Sequence, residues 1–117
     1  MVSLPKRVTA RFYQTALGSK PAREWLLDLT QDDRRIIGQD IQTVEFGWPI
    51  GMPVCRSLGQ GIWEVRSNLA AGRIARMLFT FVDDEMILLH GFIKKAQATP
   101  HHDLELAIKR KKECRNG

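Results

Sequence analysis

The hydrophobic period of this chain changes once, near Val54, and that change limits what it can fold into. Before Val54 the apolar residues recur at helical spacing: Trp25, Leu26 and Leu29 in one run, Ile37, Ile41 and Val44 in the next. From Val54 onward the spacing is that of strands. Val54 to Leu58, Ile62 to Ser67, Arg73 to Val82 and Glu85 to Ile93 are consecutive extended runs, separated by turns that carry Gly or Asp.

Residues at the ends of these runs fix the remaining elements. Val8 to Tyr13 alternates loosely and reads as a first strand. Ser19-Lys20-Pro21 opens a helix, since proline suits the first helical turn. Thr30 with Asp33 forms a capping box with Asp in place of Glu and starts a second helix, which Gly47 and Trp48-Pro49 stop. The two helices are expected to form an antiparallel pair. Thr99-Pro100 supplies a cap and a first-turn proline for a final helix. Its acidic Asp103 and Glu105 come early and its basic Lys109 to Lys112 late, as the helix dipole favours. The expected fold is α+β in the order β-α-α-β-β-β-β-α, a mainly antiparallel twisted sheet with two N-terminal helices and one C-terminal helix. A chain of 117 residues has room for one such domain, spanning 1–117.

Composition narrows the function classes. Hydrophobic residues make up 44% and charged residues 26%, so a core is available and a disordered tail is excluded. No apolar run approaches the ~20 residues of a membrane-spanning helix. Met1 to Ala10 carries Lys6 and Arg7 with no apolar stretch behind them, so no secretory signal is expected. Cys55 and Cys114 make neither a CxxC pair nor a disulfide framework, which favours a reduced, cytoplasmic protein. The net charge is +5, of which residues 1–55 supply only +1. A small basic protein with its charge in the second half suits a polyanionic partner, nucleic acid first.

The hairpin from Trp63 to Phe81 indicates where that charge lies. Trp63 and Val65 share one strand face, as do Ala75, Met77, Phe79 and Phe81. Setting both on the core side is expected to place Glu64 opposite Arg76 and Arg66 opposite Ile74. Glu64, Arg66, Arg76 and Thr80 then converge on a non-core face. A Glu64–Arg76 ion pair leaves Arg66 without a carboxylate, which is the arrangement of an anion site. His90, inside an apolar strand, reads as a hydrogen-bonded core histidine, whereas His101 and His102 begin the last helix. No Cys, His or carboxylate set has metal-ligand spacing, so neither a metal site nor another cofactor is expected.

Gly61-Ile62-Trp63-Glu64-Val65-Arg66, then Arg76 in an aromatic strand, then Leu89-His90-Gly91-Phe92-Ile93-Lys94-Lys95-Ala96-Gln97-Ala98-Thr99-Pro100, resemble the RelE/HigB toxins, particularly their phage-derived-protein-like branch. The resemblance covers nearly the whole chain. It implies the toxin of a toxin–antitoxin pair, a metal-independent mRNA endonuclease acting on the translating ribosome. It also implies a cognate helix-turn-helix antitoxin (HigA-like) as partner. By that likeness Arg66 matches the arginine used on the scissile phosphate, Arg76 a recurrent strand arginine, and Lys94 and Lys95 the basic pair ending the last strand. Arg56 stands where some relatives carry a lysine pair, and His101 falls near a base-stacking tyrosine of others. RNA contacts are expected at Arg56, Arg73, His101, Lys109 and Lys112. Glutamine at positions 109–112 is expected to weaken ribosome binding and leave the core folded. Attack by the ribose 2′-OH on phosphorus needs fixed cations around the phosphate and a group to take the 2′ proton. Two other readings are a non-catalytic RNA- or ribosome-binding module and a gyrase-inhibiting toxin of the same fold.

Overall fold

A computed structural model describes residues 5–94 and 99–116. The elements follow the order read from the sequence: β1 (Thr9–Phe12), α1 (Pro21–Leu27), α2 (Gln31–Gly47), β2 (Cys55–Gly59), β3 (Ile62–Asn68), β4 (Ile74–Val82), β5 (Glu85–Lys94) and α3 (His101–Asn116). One five-stranded sheet runs β1-β5-β4-β3-β2. Its β2–β5 part is antiparallel, and β1 joins the other edge parallel to β5, with Thr9 opposite Glu85 and Phe12 opposite Leu88. No helix among the described residues is long and apolar enough to cross a membrane.

Side-chain alternation divides the sheet between two cores. Val65, Ala75, Met77, Phe79, Met86 and Leu88 face α1 and α2, where they meet Ala22, Ile37, Ile41 and Val44. Trp48 closes one end of this layer, edge-on to Trp63 with ring centroids 4.9 Å apart. α1 packs on β5, and α2 on β3 and β1, so the sheet rather than the other helix is each one's main support. The capping box forms: Thr30 Oγ1 accepts from the Asp33 N–H at 3.2 Å. Gly91 permits the α1 contact, because a Cβ there would lie 2.5 Å from Trp25 Cζ3.

The opposite face is not bare, and this corrects the expectation of a non-core face. Ile62, Leu78, Ile87, Leu89 and Phe92 form a second buried cluster with Tyr13 and with Ala107 of α3. α3 is fastened by polar bonds as well as by its narrow apolar stripe. Arg110 donates to the Leu89 carbonyl at 2.7 Å, Lys111 donates to the Gln60 carbonyl at 2.7 Å, and Tyr13 bonds Glu113. Burial, with Glu113 adding to it, pushes the Tyr13 phenol up to about 12. Arg110 and Lys111 therefore help to hold α3 on the sheet, a role beyond the RNA contact expected of the 109–112 run.

The β3–β4 register also differs from expectation, by two residues. Glu64 lies opposite Leu78, and Arg66 lies opposite Arg76 rather than Ile74, which pairs with Asn68. The connection is the reason. Leu69 to Arg73 forms a wider turn around a 3₁₀ segment at Ala70–Gly72, closed by the Leu69 N–H on the Arg73 carbonyl at 2.9 Å, with Leu69 buried in the first core.

Gly91→Ala should destabilise the fold by about 1–3 kcal/mol, the scale of overpacking a filled site, and urea denaturation measures it. A second expectation concerns Asp33, whose carboxyl Arg73 holds below the usual carboxylate range. Because that folded-state value is depressed, its contribution is present above the ordinary Asp range and is lost as pH falls through the folded value. Arg73→Gln should flatten the acid limb of a Tm-against-pH curve below the ordinary Asp range.

Candidate nucleic-acid site

Alternation along β3 turns Glu64 and Arg66 to the face under α3, and the ladder sets their neighbours. Arg56 of β2 is opposite Glu64, and Arg76 of β4 is opposite Arg66. Two arginines facing each other across a ladder repel. Glu64, with no exposed surface, offsets that repulsion. Its Oε1 accepts from Arg56 Nη2 at 3.4 Å and lies 3.6 Å from Arg66 Nε. Its Oε2 accepts the Thr99 hydroxyl at 2.5 Å, which ties the approach to α3 into the cluster.

The arginines differ in access. Arg76 is wholly buried, and burial pushes its guanidinium below the ordinary value; Glu64 opposes that shift while Arg66 and Arg56 add to it. Arg56 and Arg66 keep 33% and 17% of their side-chain surface exposed. Among the described residues three guanidiniums share the field of the Glu64 carboxylate, and the open part of their charge lies on Arg56 and Arg66. Such forked donors suit the non-bridging oxygens of a phosphate. Arg66 also lines a cleft of about 360 Å³ with Asp40, Pro53, Val54 and Asn68.

On the same face, one strand beyond Leu78, His90 pairs with Leu78 on β5. Its Nε2 lies 2.6 Å from Oδ1 of Asp103, a buried carboxylate in the first turn of α3, and its ring stacks on Phe92. His90 is therefore hydrogen-bonded and mostly buried. Asp103 and Thr99 carried no signal in the sequence beyond helix capping and dipole complementarity. A covered sheet face with polar positions at Glu64 and His90 is the pattern that points to their partners.

The remaining expected site residues scatter. Arg73 makes a bidentate pair with Asp33 at 2.9 and 3.1 Å, away from the Glu64 cluster. His101 is exposed and pairs with Glu105 at 2.7 Å. Lys109 lines a separate cleft of about 900 Å³ beside Tyr13, Leu17 and Leu106, and Lys112 is exposed. Lys94 closes β5 with its backbone opposite Ile74, and Lys95 lies outside the described residues. Among the described residues no three His, Cys, Asp or Glu side chains gather as a metal-binding set. Burial pushes the Cys55 thiol up to about 11, which leaves it without nucleophilic character at neutral pH.

Removing the buried carboxylate takes the ion-pair partner from Arg56 and Arg66. Glu64→Ala should cost about 3–5 kcal/mol, the scale for breaking a buried ion pair, as read by chemical denaturation.

The family model described as "Phage derived protein Gp49-like (DUF891)" matches residues 24–112, a span that includes Glu64, Arg66, Arg76, His90 and Asp103. No curated protein matches the chain significantly.

Proposed function

The chain belongs to the Gp49-like family of phage-derived proteins, a family commonly associated with toxin–antitoxin systems, and on that premise we propose that it is the toxin of such a pair. In this reading it is a ribosome-dependent, metal-independent endoribonuclease that cuts messenger RNA in the cytoplasm. Its neutralising partner is a helix-turn-helix antitoxin of the HigA-like kind. The observation that supports the reading best is the arginine cluster, in which one buried carboxylate holds Arg56 and Arg66 part-exposed on a rigid sheet.

The chemistry asks for fixed cations. As the ribose O2′ attacks phosphorus and the bond to O5′ breaks, negative charge builds on the non-bridging oxygens. Donors already held in place stabilise that charge without reorganising. Arg66 is the proposed phosphate ligand, with Arg56 beside it. Arg76, wholly buried, acts from behind by positioning Glu64 and Arg66. Lys94, which ends β5, and Lys95, the next residue in the sequence, are proposed to add charge at the departing oxygen. His101, Lys109 and Lys112 are proposed to contact RNA more broadly, through charge that salt screens.

Expression without the partner should arrest translation, and mapped cuts should lie within translated codons. They should disappear when the start codon is removed from the transcript. Arg66→Ala should reduce single-turnover cleavage by about 10²-fold or more, the scale for losing one transition-state donor. Cuts that persist on untranslated RNA would identify an independent ribonuclease. Ribosome binding without any cleavage would identify a binding module.

A further inference from the structure

The arginine cluster leaves one requirement of 2′-OH attack unmet: a group to accept the 2′ proton. Glu64 cannot do it, since it has no exposed surface, Arg56 and Arg66 converge on Oε1, and Thr99 occupies Oε2. His101 and His102 stand exposed on α3, with His101 held by Glu105. Arginine does not lose its proton in proteins.

We propose that His90 is the general base of this site and that Asp103 positions it, an inference that rests on the ribonuclease reading above. His90 stands in the same row across the sheet as Arg56 and Glu64, through the pairs Arg56–Glu64, Glu64–Leu78 and Leu78–His90. Arg66 occupies the adjacent row, which runs through Arg76 to Phe92. Strands lie about 4.8 Å apart, so two steps separate the Glu64 and His90 backbones by roughly 10 Å. His90 and the part-exposed Arg66 therefore share one face of the sheet, two strands apart.

The hydrogen bonding suits the role. With the Asp103 oxygen as acceptor of a hydrogen on Nε2, a neutral ring has its lone pair on Nδ1, the atom that takes the 2′ proton in this proposal. A buried carboxylate behind an imidazole fixes tautomer and orientation and stabilises the imidazolium that forms. Stacking on Phe92, with centroids 5.5 Å apart and planes 26° apart, holds the ring in one attitude. Access is graded as it is for the arginines: His90 keeps 18% of its side-chain surface while Asp103 keeps 7%. In each half of the site a closed carboxylate backs a part-exposed group.

The step balances without any other reactant. His90 takes the 2′ proton as O2′ bonds to phosphorus. The bond from phosphorus to O5′ breaks, and the 5′ oxygen leaves as a hydroxyl with a proton from water. The products are a 2′,3′-cyclic phosphate and a 5′-hydroxyl, and the imidazolium returns its proton to solvent.

The test uses the full chain on ribosomes translating a defined message, in single turnover, with ribosome affinity measured alongside. His90→Gln, whose amide can still reach Asp103, should cut about 10²-fold or more slowly, the scale of general base catalysis, with affinity unchanged. His90→Ala should regain part of its rate on addition of imidazole, a response that loss of a merely structural contact does not give. Asp103→Asn should slow cleavage with affinity unchanged, and imidazole should not restore it. Folded His90→Gln cutting within a few-fold of the unaltered chain would overturn the assignment, whether or not the alanine variant folds. So would a folded His90→Ala that is slow and indifferent to imidazole. An unaltered chain that cuts no ribosome-bound message would overturn the ribonuclease reading and this inference with it.

Discussion

Burying a carboxylate on a covered sheet face is costly unless its oxygens are matched, and Glu64 is matched by three side chains. Arg56 comes from β2, Arg66 from β3 itself and Thr99 from the approach to α3. Arg76 lies within the same electrostatic field from β4. One side chain thereby sets how the sheet edge, its centre and the final helix sit relative to one another. Its satisfaction is also what lets Arg66 and Arg76 face each other, a pairing that would otherwise work against the β3–β4 hairpin.

The sheet is covered twice, and the two coverings are built differently. Toward α1 and α2 the contact is nearly all apolar and aromatic, with Trp25, Trp48 and Trp63 supplying area at the margins. Toward α3 a smaller apolar cluster is supplemented by bonds to the carbonyls of Leu89 and Gln60 and by the carboxylates of Asp103 and Glu113. A helix with a narrow apolar stripe can dock only if its polar residues also find partners. Those polar fastenings reach into the arginine face, so the element that completes the second core also completes the candidate site.

The order and kind of elements were legible because capping residues, turn residues and a change of period are local signals. Thr30, Pro21 and Pro100 each mark a helix start within a residue or so. Register was less legible, since a shift by two residues preserves every side chain's face. Only the length of the Leu69–Arg73 turn distinguishes Arg76 from Ile74 as the partner of Arg66, and that turn depends on Leu69 finding the core. The coverage of the second face did have a mark in the sequence. Met86-Ile87-Leu88-Leu89 is apolar without alternation, as strands buried on both sides are. The Thr99–Glu64 and His90–Asp103 bonds could not be read in advance, because residues far apart in sequence meet there only through tertiary packing.

The parallel pairing of β1 with β5 has a consequence for how the molecule comes into being. The first strand borders only β5, the last strand in sequence order, and Tyr13 and Glu113, which bond each other, stand 100 residues apart in the chain. Contacts of such high order close late, since the loop entropy of the whole intervening chain is spent before they form. His90, Thr99 and Asp103 also follow β2, β3 and β4 in the chain. A chain emerging from the ribosome can therefore pair β2, β3 and β4 while Glu64 still lacks Thr99 and before His90 has met Asp103. Vectorial synthesis places assembly of the site after pairing of the central strands, so the basic face is completed only once the sheet's middle has formed.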